Sequence, residues 1–308
     1  PLPETAAEAM RAGLASVDPS AAAAAVPKAQ DFVSNLVPAN AISAAANGEV
    51  LPLVVFTLLF ALALTRIAET QRRTVVGFFE ALADTLLVMI SWVLVVAPIG
   101  VFALAFALGA GAGSAAFAGL AYYIVLVSSV GVVVLIAAYF IAVLLGGQSV
   151  GKFARALVAP QSVAISTRSS LASLPAMLAA ARSLNIRDEV ADVTLPLAVA
   201  LFRATGPAIN IAVLYYVAEW MGLDPGLPQV VAAILVAMLM SLSAVSLPGE
   251  ISFISSVAPI GIVLGIPLGP LALLVAVEMI PDIFRTVGNV TMDVAATTVV
   301  DRRAGPES

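Results

Sequence analysis

Unbroken apolar runs, rather than two-residue alternation or narrow amphipathic stripes, set the pattern of this chain. A helix needs about 20 apolar residues to cross a bilayer, whereas a run of about 10 to 14 suits a buried or re-entrant piece. Three runs of crossing length come first, at about 49–65, 83–108 and 116–146. Arg66, Arg72 and Arg73 lie in "TRIAETQRRT" between the first two, and the uncharged "GAGAGSA" separates the second from the third. Basic loops stay on the cytoplasmic side, so the first linker is expected inside and the second outside. The third run then returns to the cytoplasm ahead of Lys152 and Arg155.

The second half breaks this pattern. Between Arg155 and the basic pair Arg182 and Arg187 there are too few apolar residues for two crossings, and one crossing would leave a basic group outside. A hairpin over about 149–181 that enters and returns, with its turn near "TRSSLASLP", satisfies both ends. A crossing at about 190–218 follows and ends outside at Glu219 and Asp224. A second interrupted segment, about 228–265, turns at "SLSAVSLPGE", and a last helix over about 270–300 ends at Arg302 and Arg303. Both turns carry one word: Ser170–Pro175 reads "SLASLP" and Ser243–Pro248 reads "SAVSLP". Paired, interrupted apolar segments point to an inverted-repeat transporter whose site lies where the turns meet. The expected fold is therefore an all-α membrane protein with two re-entrant helical hairpins.

Composition narrows the chemistry. Of 308 residues, 61% are hydrophobic and only 11% charged, far below the quarter expected of a soluble domain. Cysteine and histidine are both absent, which removes disulfides, thiolate metal sites and the usual neutral-pH base. No basic stripe exists for nucleic acid, no cofactor is expected, and no metal-ligand set stands out. The chain opens on proline with no signal-like region, so it is expected to begin part-way through a longer protein. Residues 1–30, rich in Ala, Pro and acidic groups, are expected to form an external connection.

The charges that remain sit in unusual places. Glu278, Asp282, Arg285, Asn289 and Asp293 follow one another at steps of four, three, four and four. At 3.6 residues per turn they share one helix face about 22 Å long. Each costs at least a few kcal/mol in a bilayer unless it faces protein or water. Asp282 offers an anion for an ammonium, and Arg285 a planar fork for a carboxylate. Three carboxylates against Arg285 leave −2, and adding Arg203 leaves −1, a gap that one ligand amine would close. Ser169 and Ser170 at the first turn, and the backbone around Val245 to Pro248 at the second, are expected to add donors. Arg203 itself stands near the midpoint of the apolar run "LPLAVALFRATGPAIN".

"ANGEVLPLVVF", "APIGVFAL", "TRSSLASLP", "TLPLA", "SLPG" and "DIFRTVGNVTMD", in this order, resemble the glutamate transporter family, the dicarboxylate/amino acid:cation symporters. The resemblance runs from about Phe32 to the end. It implies a homotrimer, an elevator motion of a transport domain, and a chain lacking the first three of eight spans. Residues 31–110 would then be scaffold helices, 111–300 the transport domain and 301–308 a cytoplasmic tail, in a prokaryotic cytoplasmic membrane. By position, the resemblance assigns Asp282 to the substrate amino group, Arg285 to the side-chain carboxylate, and Thr286 and Asn289 to further polar contacts. Ser170 takes the place of the first-hairpin serine, "SLPG" that of the second-hairpin gate, and Asp293 that of a sodium ligand.

One stretch departs from the family. Where relatives carry Asn-Met-Asp-Gly-Thr, this chain has Phe202-Arg203-Ala204-Thr205-Gly206. The expected consequence is that Arg203 is a tethered cation standing where relatives bind sodium, so that an acidic amino acid or dicarboxylate binds with little or no sodium. Proton coupling through Glu278 or Asp282, a weaker sodium site and an anion channel are the competing readings. An intramembrane hydrolase built on Ser169 or Ser170 lacks a base, and a non-transporting subunit has no reason to keep Asp282 and Arg285 in register. Trp92, Tyr122, Tyr123 and Tyr139 are expected to be plain lipid or helix contacts. Arg168 is expected to pair with a carboxylate of the last helix in one conformational state.

Overall fold

The computed structural model describes residues 4–17, 38–47, 50–243 and 249–305. All regular structure among the described residues is helical. The helices are α1 (Glu4–Val17), α2 (Ala41–Ala46), α3 (Val50–Leu64), α4 (Glu69–Phe140), α5 (Val150–Thr167), α6 (Ser170–Ser183), α7 (Asp188–Leu201), α8 (Thr205–Met221), α9 (Leu227–Ser243), α10 (Gly249–Leu264), α11 (Gly269–Leu274) and α12 (Met279–Ala304). A π-helical turn, Ile141–Leu145, follows α4, and a 3-10 turn, Val275–Val277, precedes α12.

The first interrupted segment folds as helix, turn, helix, and the second holds two helices, α9 and α10. Ser149 caps α5 by accepting the Lys152 amide at 3.4 Å. The α5 helix stops where Arg168 adopts a left-handed conformation, φ 51°, and Ser169 at once starts α6 by accepting the Ala172 amide at 3.2 Å. A Ser N-cap satisfies an amide that the first turn cannot. The α5 and α6 helices pack against each other, as do α9 and α10. Between α9 and α10, residues 244–248 lie outside the described residues, and with them Val245 and Pro248.

Three expectations change. The expected external loop "GAGAGSA" is helical, and the two expected crossings around it form one 72-residue helix, α4. Gly109 to Ala115 contain no Pro, Asn or Asp, so nothing terminates the backbone ladder, and alanine favours it. At 1.5 Å per residue α4 is about 108 Å long, several times the hydrocarbon thickness. Next, the expected external connection holds α1, whose Ala6, Ala7 and Met10 are buried. Their helical spacing makes an apolar stripe that the overall polarity of the segment hides. Arg11 anchors the same helix by donating from Nε to the Trp220 carbonyl at 2.8 Å. Finally, the run at 190–218 is two helices, α7 and α8, with Phe202 to Ala204 between them.

Two apolar cores flank α12. The first gathers α1, the Leu120–Val127 part of α4, and α8 to α11. The second joins the end of α4, α5, α6, α7 and the apolar side of α12. Between them α12 packs against α4, α5, α6, α7 and α8. Small residues make this possible. A Cβ on Gly288 would lie 2.6 Å from Thr205 Cγ2, and one on Gly131 would lie 2.9 Å from Phe284 Cβ. Close backbone approach at glycine is how helices associate without help from a hydrophobic driving force. Gly288→Ala is therefore expected to lower the thermal midpoint of the detergent-solubilised protein, at an overpacking cost of about 1–3 kcal/mol. Gly151→Ala, at a position with open space around it, is the matched change expected to leave the midpoint in place.

Candidate substrate-binding site

The site is built on the first half of α12 and on the residue just before it. Glu278 precedes the helix, yet its carbonyl accepts the Asp282 amide at 2.9 Å, so the stripe stays in helical register. Glu278, Asp282, Asn289 and Asp293 are all buried. Arg285 lies at the centre. Its Nη2 donates to Glu278 Oε1 at 2.8 Å and its Nη1 donates to Asn210 Oδ1 at 2.7 Å. Its Nε is 3.8 Å from Asp282 Oδ1 and is buried without a hydrogen-bond partner among the described residues. Tyr123, fully buried on α4, donates its hydroxyl to Glu278 Oε2.

The first hairpin reaches the same place. Arg168, in its left-handed turn, puts Nη1 3.8 Å from Asp282 Oδ2. The expected pairing of Arg168 with the last helix is thus present, and it revises the charge count. Glu278, Asp282 and Asp293 are matched by Arg285, Arg168 and Arg203, so no cation is missing before a ligand arrives. Ser170 is buried at the start of α6, and the Ser169 hydroxyl is spent on the cap of that helix.

Further along, Thr286 donates to the Asp282 carbonyl of its own helix at 2.9 Å. Asn289 Oδ1 accepts both the Thr205 amide at 2.9 Å and the Thr205 hydroxyl at 2.8 Å. Asn289 thereby ties α12 to the first residue of α8, and its carbonyl oxygen is committed to that bond. Sequence reasoning did not single out Thr205 or Asn210. It also read Tyr123 as a plain contact, whereas its hydroxyl serves Glu278. The signal for Asn210 was available, since a lone amide in a long apolar run needs a partner.

Arg203 is not inside a helix. It sits in the Phe202–Ala204 break, where the Ser241 hydroxyl donates to its carbonyl at 3.2 Å. A break leaves backbone groups without helical partners, and it lets a long side chain enter from the side. Arg203 and Asp293 line one cleft of about 1030 Å³ whose walls include Leu197, Leu201, Met238 and Leu242. Arg203 Nε and Asp293 Oδ2 are both buried without a hydrogen-bond partner among the described residues. No group of three or more acidic side chains among the described residues is placed to hold a metal ion.

This arrangement can hold an anion and a cation side by side: half-buried guanidinium groups from two directions, with a buried carboxylate between them. Comparison with known proteins agrees with that chemistry. The model of the sodium:dicarboxylate symporter family matches residues 6–303. The chain is 30% identical over 270 residues to the proton/glutamate-aspartate symporter of Escherichia coli, covering 87% of this chain and 61% of that protein. It is also 30% identical to the proton/sodium-glutamate symport protein of Bacillus subtilis, covering 88% of this chain and 62% of the relative. With the C4-dicarboxylate transport protein of Rhizobium johnstonii the identity is 28%, over 94% of this chain and 66% of the relative. The chain thus spans somewhat under two thirds of the length of the relatives it matches. The relatives are transporters, and none of their names describes an enzyme. Both the residues matched and the chemistry of α12 lead to one assignment: this chain belongs to the sodium:dicarboxylate symporter family.

Proposed function

We propose that the chain forms the substrate-carrying part of a secondary transporter for acidic amino acids or related dicarboxylates. The observation that carries this reading is the group of Arg168, Asp282, Arg285 and Glu278, two half-buried guanidinium groups on two buried carboxylates, where the first hairpin turn meets α12. A structural ion ladder would leave no buried guanidinium donor idle, whereas Arg285 Nε is free to meet a carboxylate. Asp282 takes the substrate ammonium when there is one, displacing Arg168, which then turns to the incoming anion. Relatives named for glutamate, aspartate and C4-dicarboxylates support this breadth.

In the bilayer the two helix-turn-helix units are re-entrant, and residues 111–300 move as an elevator against scaffold helices of a homotrimer. Residues 301–308 then lie in the cytoplasm, on the inner face of the cell membrane. Arg203 supplies a permanent cation beside Asp293, in place of a bound sodium ion. A fixed charge in the same apolar-walled cleft is worth more than the same charge in water. The site is then preorganised without sodium, and coupling to it is weak or absent.

Aspartate binding to the purified protein, followed by calorimetry, is expected to show equal affinity in sodium-free and sodium-rich buffers. Binding that needs sodium would sink the role given to Arg203, as would an Arg203→Met protein that folds and binds with unchanged affinity and ion dependence. A second comparison separates the two ends of the substrate. Asp282→Asn is expected to weaken aspartate at least about 10-fold, the loss of one charge-assisted bond. The same change should leave a four-carbon dicarboxylate without an amine at or below its original Kd. Equal losses for both ligands would remove Asp282 from the amine site.

A further inference from the structure

Tyr123 lies far from α12 in sequence, on a helix that no substrate role has been given, and its hydroxyl nevertheless ends at the site. We infer that Tyr123, acting through Glu278, is a positioning residue that sets the direction of the Arg285 fork and so the selectivity for a second carboxylate. The inference rests on the substrate reading proposed above.

The geometry is a relay of three side chains from three parts of the chain. Tyr123 Oη donates to Glu278 Oε2, and Glu278 Oε1 accepts from Arg285 Nη2 at 2.8 Å. Each oxygen of Glu278 thus serves one partner, and the carboxylate plane is fixed from both sides. Asn210 on α8 holds the other terminal nitrogen at 2.7 Å. A guanidinium is planar, so two anchored nitrogens on different acceptors fix its plane as well. The Nε–H is then left pointing away from these anchors, on the side of Asp282 and without a hydrogen-bond partner among the described residues. That is the donor a ligand carboxylate would meet.

Glu278 alone would not hold this direction. It stands at the junction of the Val275–Val277 3-10 turn and α12, where the backbone changes pitch. The tyrosine is held more firmly. It is fully buried, and its ring packs edge-on against Tyr216 of α8, with centroids 5.1 Å apart. The aromatic contact leaves the ring in place when only the hydroxyl is removed. Tyr123→Phe therefore takes away one hydrogen bond and little packing.

The test compares binding of a four-carbon dicarboxylate and a four-carbon monocarboxylate to wild type, Tyr123→Phe, Glu278→Gln and the double variant, with thermal midpoints recorded for all four. In Tyr123→Phe the dicarboxylate is expected to lose about 10-fold in affinity, the loss of a bond to a charged group, while the monocarboxylate changes by less than about 3-fold. Selectivity thus falls, with a modest drop in the thermal midpoint from the Glu278 oxygen left without its partner. Once Glu278 is Gln, removing the hydroxyl is expected to add no further loss. Unchanged selectivity in Tyr123→Phe overturns the inference. So does an equal loss for both ligands, which marks a structural role, and so do additive losses in the double variant. A wild-type protein that binds neither acid overturns the substrate reading and this inference together, whereas wild-type binding with an indifferent Tyr123 overturns this inference alone.

Discussion

Neutralising charge away from water is the constraint on which the rest of this molecule depends. The last helix packs against both apolar cores, yet it carries Asp282, Asn289 and Asp293 on its buried side, with Glu278 just ahead of it. Removing one member of a buried ion pair costs about 3–5 kcal/mol, because the other is left without compensation. Partners must therefore be delivered by other elements: Arg168 from the first hairpin turn, Asn210 and Thr205 from α8, and Tyr123 from α4. The neighbours of α12 are placed by this need as much as by apolar packing.

That requirement also explains why the surrounding helices are broken. An intact helix satisfies its own backbone and presents only side chains. The turn at Arg168, the break at Phe202–Ala204 and the 3-10 turn before Glu278 each bring a chain end toward α12. The Thr205 amide, freed by the break, is used at once by Asn289. Irregular backbone at such depth is tolerated where protein or a cavity takes up its polar groups. The two apolar cores on either side hold these ends in place, and glycines at 131 and 288 let the helices come close enough for short polar bonds to form.

Read together, the site is a balanced set of three cations and three anions in which two guanidinium groups and one carboxylate retain unused hydrogen-bonding capacity. Unused capacity inside an apolar protein is costly, and proteins keep it where a ligand or a moving part will use it. The relatives are named for glutamate, aspartate and C4-dicarboxylates, all acids with two carboxylates.

The sequence by itself determined the class, the interruption of two apolar segments and the polar stripe of α12. Run length, the repeated serine-leucine-proline turns and residue spacing are local properties, and local properties survive without a partner. It failed where a local signal was silent or pointed two ways. "GAGAGSA" lacks a residue that forces a turn, so the ladder of α4 runs through it. Arg203 in an apolar run was read as a mid-helix charge, when the helix ends beside it. Only the tertiary structure decided which partner each buried group takes. Arg168 closes the charge balance that the sequence left open, and Asn289 is held by Thr205. Tyr123, one aromatic among several, becomes the donor to Glu278 because helices far apart in sequence cross at that point. A pairing between distant positions leaves no trace in the spacing of either segment, and for that reason it had to be seen in three dimensions.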